Sequence, residues 1–221
     1  MQASQPAAHE LRHHFADMDQ QRETASFGMW IFLVTEVMFF GGLFLSYMVY
    51  RFLYPTAFVE GSRHMNLWLG ATNTVVLICS SLTMVLAVRS TRTNQRKLAV
   101  IFLVITFVLG LAFMGVKGVE YHEHWVAREV PGPAFHFEGS DPRHTQIFFS
   151  LYFAMTGLHA LHMIIGCGFV LYLMMQVWRG VYNSEYYNPV ENGGLYWHFV
   201  DIIWIWLFPL LYLISHYHVG E

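Results

Sequence analysis

Charge is what this sequence has least of. Its 221 residues include 12 Lys plus Arg and 15 Asp plus Glu, so charged residues make up 12%. That is about half of the roughly 25% usual in soluble domains, too little to cover a water-facing surface. Cysteine is nearly absent as well: Cys79 and Cys167 both stand inside apolar runs. They make neither a disulfide scaffold nor a metal motif and read as two small packed side chains. An excess of positive charge is also missing, and the net charge of -3 leaves no basic footprint for nucleic acid. What the chain has instead is 55% hydrophobic residues, 19 Phe and a mean hydropathy of +0.39. Those values exclude intrinsic disorder.

The few charges are clustered, and the gaps between them define the architecture. No Asp, Glu, Lys or Arg occurs between Arg63 and Arg89, between Lys97 and Lys117, or between Arg143 and Arg179. Glu36 alone interrupts the stretch from Thr24 to Tyr50, and Asp201 alone the stretch from Asn192 to Gly220. About 20 apolar residues at about 1.5 Å each cross a hydrocarbon core of about 30 Å. The expectation is an all-α polytopic membrane protein, a bundle of five transmembrane helices at about 28–50, 67–88, 98–119, 146–177 and 195–215. The fourth, about 32 residues and near 48 Å long, must tilt or project. Continuous runs of this length are unlike the ten-residue alternation of a membrane barrel.

Residues 1–27 form a polar segment with no basic opening or cleavage site, so the first span reads as retained; residues 28–221 form the transmembrane domain. Arg12, Arg22, Arg89, Arg92, Arg96, Lys97 and Arg179 fall on one side of the membrane. Arg51, Arg63, Lys117, Arg128 and Arg143 fall on the other. Seven against five puts the N-terminus in the cytoplasm and the C-terminus outside. The loop at 120–145, with its histidines, acids and Pro131-Gly132-Pro133, reads as an ordered external connection. Asn66 is placed to cap the second span. Trp68, Trp125 and Trp178 suit interfacial anchoring.

Polar groups inside the spans carry the functional question. Glu36 has no basic neighbour in sequence. It reads as a proton relay, a partner contact or a lipid neighbour, or as a neutral carboxyl making one interhelical hydrogen bond. His198 and Asp201 share a face of the last span, so the carboxylate can fix the imidazole tautomer. No serine or cysteine in that stretch completes a hydrolytic set. With the assigned topology this pair and Glu36 fall in the same half of the bilayer. His159, His162 and Asn73, the last flanked by Thr72 and Thr74, read as interhelical hydrogen-bonding groups beside small residues. Haem would need opposed histidines on facing helices, and the first three spans contain none. Glu120 is expected to face headgroups or an external group. A small membrane transporter is the alternative of another class, but repeats are lacking and Pro209 is the only proline inside a span. An accessory subunit of a larger complex needs none of those features.

Four stretches add a resemblance. YFAMTGLHALHMIIG and GGLYWHFVDIIWIWLF are similar to signature segments of subunit III of the haem-copper terminal oxidases. TASFGMWIFLVTEVMFFGGLF resembles that family's buried-carboxylate helix, and VKGVEYHEHW the end of its next long helix. The resemblance implies a non-redox accessory subunit of a proton-pumping bacterial cytochrome c oxidase in the cytoplasmic membrane. Quinol oxidase subunit III and the related accessory protein of nitric oxide reductase are the alternatives. It implies no catalytic residue, metal or cofactor on this chain, haem and copper belonging to partner subunits. It also implies contact with subunit I, with subunit II and with small or fused subunits, cytochrome c or quinol as donor at the level of the complex, and bound phospholipid. Glu36 then corresponds to the family's reactive carboxylate supporting proton uptake. His159, His162, His198, Asp201 and Trp204 are implied as packing or lipid-site residues and Glu120 as the matching acid of its helix; Trp30 and Asn73 are further packing or lipid-site candidates. Larger relatives carry two further helices, which this sequence lacks.

Overall fold

The computed structural model describes residues 15–133 and 135–213. Positions 1–14 of the polar segment, with Arg12, and His216 and His218 lie outside them. Among the described residues six helices follow one another: α1 (Met18–Leu53), α2 (Pro55–Arg63), α3 (Leu67–Arg92), α4 (Arg96–Val126), α5 (Pro142–Arg179) and α6 (Asn188–Tyr212). Five of them are long and apolar enough to cross a membrane, which gives an all-α bundle of five potential spans.

Local chemistry sets the helix ends. Asp17 caps α1 by accepting from the Gln20 amide at 2.7 Å, and Asn66 caps α3 by accepting from the amides of Trp68 and Leu69. Asp141 caps α5 ahead of Pro142. A hydrogen bond from His144 holds the Asp141 carboxyl below the usual carboxylate range. Gly180, with φ of 80°, ends α5 in a left-handed turn that suits glycine. Helices therefore extend past the expected spans. The first begins at Met18 rather than near 28, and α5 has 38 residues, about 57 Å.

The short α2 was not anticipated. Pro55 starts it and pushes Tyr54 out of helical conformation, which separates it from α1. It lays Ala57, Phe58, Gly61 and Ser62 against the bundle. A Cβ on Gly61 would stand 2.4 Å from Cδ1 of Phe148, so only glycine permits this approach to α5. The last carbonyls of α6, which no helical amide can reach, are satisfied from these elements. Tyr47 donates its hydroxyl to Leu210 O at 2.5 Å and Ser62 donates to Leu211 O at 2.9 Å.

Helices α3 to α6 pack into a compact group with α6 the most enclosed. Trp197, Trp204, Tyr152, Phe113 and Phe148 fill its centre. By contrast α1 buries one stripe, Leu33, Phe40 and Tyr47, at heptad spacing against α5 and α6. Its remaining surface, including Trp30, Ile31, Val34 and Met38, is exposed. At its start, α1 is tied to the segment before α6 by Arg22, which donates to Glu185 O, and to the first residue of α6 by Asn188, which donates to Ser26 Oγ at 3.0 Å. Cys167 is buried as expected, whereas Cys79 lies on the outer face of α3. Trp68, Trp125 and Trp178 are all exposed near helix ends.

Gly61→Ala is expected to destabilise the purified protein by about 1–3 kcal/mol through overpacking on Phe148. Gly118→Ala, where a Cβ meets nothing within 4 Å, should be neutral or slightly stabilising. Thermal unfolding in one detergent compares the two, and equal stability would refute the tight α2–α5 contact.

Candidate functional site

Polar groups that leave water must find partners inside the protein, and those of this bundle form three sets. The first lies between α1 and α5, near the midpoint of each helix. Glu36 Oε2 is 3.2 Å from His162 Nε2, so the carboxylate does have a basic partner, one that comes from another helix. His162 Nδ1 is 2.8 Å from Leu158 O. A carbonyl oxygen only accepts, so Nδ1 carries a hydrogen. Nε2 and the carboxyl then hold one further proton between them. It resides on Glu36, giving two neutral groups, or on His162, giving an ion pair; the net charge is zero in both states. Tyr196 donates to His162 O at 3.0 Å, and Phe40 packs its edge against the imidazole at 5.3 Å. Both side chains keep some access, 19% for Glu36 and 13% for His162.

The second set joins α4, α5 and α6 near the ends opposite the Arg-rich α3–α4 turn. Lys117 Nζ donates to Glu120 Oε2 at 2.8 Å, to Tyr212 OH at 2.9 Å and to Tyr152 OH at 3.1 Å. Both tyrosines donate in turn to Glu120 Oε1, Tyr152 at 2.9 Å and Tyr212 more closely. The ammonium also lies 5.1 Å from the Trp204 ring. Glu120 is therefore fully buried, not facing headgroups as expected. Lys117, Tyr152 and Tyr212 were missed, although Lys117 lies three residues before Glu120 and so on the same helix face.

The third set is the α3–α6 seam. Trp197 donates to Ser80 Oγ at 2.8 Å, Ser81 Oγ and His198 Nδ1 are 2.7 Å apart, and Trp204 donates to Thr74 Oγ1 at 3.1 Å. The Thr74 bond was expected; its neighbour Asn73 is buried with both amide atoms unpartnered, contrary to its expected role. His159 likewise makes no hydrogen bond: it is enclosed between Phe113, at 5.5 Å, and Trp204, at 5.4 Å. His159 and His162 thus serve different interfaces despite their common helix face. Asp201 is buried beside Ser81 and does not bond to His198. A serine thus joins this histidine and acid in space after all. Yet the hydroxyl stands between them, whereas a hydrolytic set needs the imidazole in the middle. His198 and Asp201 open toward a groove lined by Leu77, Ile78, Leu82 and Val85 on α3, so they do not meet Glu36. Trp30 is exposed on the outer side of α1.

The α4–α5 connection is ordered by two imidazoles on one carboxylate. His124 and His64 approach the oxygens of buried Glu129 through Nδ1 at 2.6 and 2.7 Å. His122 and His124 lie on α4 rather than in the connection expected from 120 onward, because that helix runs on to Val126. Glu60 fastens α2 to the same connection by accepting from Ser140 N and Oγ. Among the described residues no three His, Cys, Asp or Glu side chains are grouped to hold a metal ion.

Comparison with known proteins places this geometry. The family described as cytochrome c oxidase subunit III matches residues 8–216. A cytochrome c oxidase subunit 3 from Synechocystis sp. is 34% identical over 85% of this chain and 75% of its own length. A cytochrome bo(3) ubiquinol oxidase subunit 3 from Pseudomonas aeruginosa is 31% identical over 94% of this chain and 93% of its own. A cytochrome c oxidase subunit 3 from Alkalihalophilus pseudofirmus is 30% identical over 85% of each.

Lys117→Met leaves Glu120 buried without its cation and is expected to cost about 3–5 kcal/mol. The double variant Lys117→Met with Glu120→Leu should recover most of that loss. The relative melting temperatures of the three proteins in detergent test this; a double variant no better than the single one would contradict the pairing.

Proposed function

The chain belongs to the cytochrome c oxidase subunit III family, and from that premise we propose that it supports proton uptake and the durability of a bacterial terminal oxidase. Membership makes it a non-catalytic accessory subunit of such an oxidase, associated with the redox subunits of a respiratory complex. The finer reading is that it braces subunit I in the cytoplasmic membrane, N-terminus inside, as the seven-to-five distribution of cations favours. Residues 1–27 then belong to the cytoplasmic side and the segment from 28 onward to the membrane domain.

One observation carries the reading: the Glu36–His162 contact of 3.2 Å at mid-helix, between two partly accessible groups. A pair that is neutral in both proton positions avoids the cost of an isolated charge in hydrocarbon. It can therefore hold a proton at that depth and exchange it through the open edge of α1. The cleft between α1 and α6, about 820 Å³, supports phospholipid binding. Phe40, Phe44, Phe199 and Trp206 give it apolar walls and Arg51 a cation at one end, a combination suited to an acyl chain and its phosphate. The likeness to the ubiquinol oxidase subunit over nearly the whole chain favours a second reading of the donor, quinol instead of cytochrome c. Co-purification separates these: a copper-bearing cytochrome c docking subunit marks one branch and its absence the other.

Glu36→Gln in the assembled complex keeps a hydrogen-bonding group but removes the exchangeable carboxyl proton. Proton uptake should slow, or catalytic lifetime shorten, at unchanged haem content, and His162→Gln should do the same. The double variant should be no worse than either single one, because both remove the same proton site. Unchanged uptake, turnover and lifetime would confine the pair to packing.

A further inference from the structure

Positive charge is left unpaired where α4 begins and α5 ends. Arg92 there is occupied by Glu191 and lies 4.8 Å from the Tyr187 ring. Arg96, Lys97 and Arg179 are exposed, and among the described residues no acid pairs with any of them. They converge because Arg96 packs on the α5 terminus: a Cβ at Gly180 would stand 3.3 Å from its Nη1. Two adjoining hollows of about 430 and 450 Å³ open beside these cations, with Val100 and Trp178 common to both. Ile101, Val104, Met174 and Met175 supply the remaining walls. Among the described residues that line it, the cations are the only charged groups around an otherwise apolar trough. From Arg96 the trough follows α4 for about two turns to Val104, about 12 Å.

We propose that this α4–α5 trough binds an anionic phospholipid, its phosphate on Arg96, Lys97 and Arg179 and an acyl chain along Val100, Val104 and Met175. The charge pattern selects this occupant. A zwitterionic lipid leaves the cations unneutralised, a soluble anion leaves the trough empty, and a transmembrane helix seated there must bring its own acids to three unpaired cations. Trp178, 67% exposed at the rim, stands where an indole anchors at the headgroup level. Basic pockets between helices at one membrane surface recognise anionic headgroups on these same terms. The site is on a different face from the α1–α6 cleft and does not depend on the proton reading of Glu36.

The test is native mass spectrometry of the delipidated complex titrated with phosphatidylglycerol or with phosphatidylcholine of the same acyl chains. One phosphatidylglycerol should bind in preference. Its affinity should fall about a hundredfold in R96Q/K97Q/R179Q and about fivefold in Lys97→Gln. Met175→Trp, which fills the trough and leaves every charge in place, should also lose it, whereas Arg51→Gln in the other cleft should keep it. Equal binding of the two lipids, full retention by the triple variant, or loss confined to Arg51→Gln would overturn the proposal. So would complete competition by inorganic phosphate, or a photo-crosslinker at Val104 capturing another polypeptide of the complex instead of lipid.

Discussion

A charge in hydrocarbon persists only beside its counter-charge, and the Lys117–Glu120 pair shows how much structure that demands. Glu120 Oε1 and the Lys117 ammonium each reach α5 through Tyr152 and α6 through Tyr212, while Glu120 Oε2 accepts from the ammonium. Three helices are fixed in depth and rotation by these bonds, because sliding any of them leaves an ion or a hydroxyl unpaired. Trp204 lies over the same ammonium while donating to Thr74, which carries the register to α3. The seam continues through Trp197 on Ser80 and His198 with Ser81. The compact four-helix group is thus held by a connected polar network inside an aromatic core.

The Glu36–His162 pair has similar chemistry in a looser setting. Its one neighbouring tyrosine, Tyr196, bonds to the His162 carbonyl and not to either side chain, both members keep partial access, and α1 touches the bundle along one stripe. Where Lys117 and Glu120 each need their charge to stay paired, Glu36 and His162 satisfy their bonds in either proton position. A fully enclosed pair is suited to rigidity, and a partly open one to exchange. This difference in surroundings is the ground on which we propose exchange for Glu36 and rigidity for Glu120, two acids that look alike in sequence.

What was legible in the sequence follows from how local each interaction is. Charge gaps revealed the five long helices because hydrophobicity over about 20 residues is a local property. Asn66 revealed its cap for the same reason. The nine-residue α2 was hidden, since Ala57, Phe58 and Gly61 make no long apolar run and need Phe148 to explain them. Glu36 stood out as a lone acid, but its partner lies 126 positions away, and nothing short-range points to it. Lys117 was counted among the cations on the outer side because its tyrosine partners are 35 and 95 positions distant. Asn73 and His159 were assigned bonds on residue type alone, and the aromatic packing around His159 took the place of the one expected there.

The shortage of charge now has a distribution with meaning. Inside the bundle the ion pairs are closed, and the polar side chains left over, Asn73, His159 and Asp201, are buried singly between packed helices. The outside is different: α1 presents an apolar flank with Trp30, Val34 and Met38 exposed, and α4 and α5 present a trough with unpaired cations. A chain that performed chemistry alone would concentrate its unsatisfied groups in one enclosed pocket. This one leaves its unsatisfied surface on opposite outer faces, where neighbours made of protein and lipid can complete it, and that is the form an accessory subunit takes.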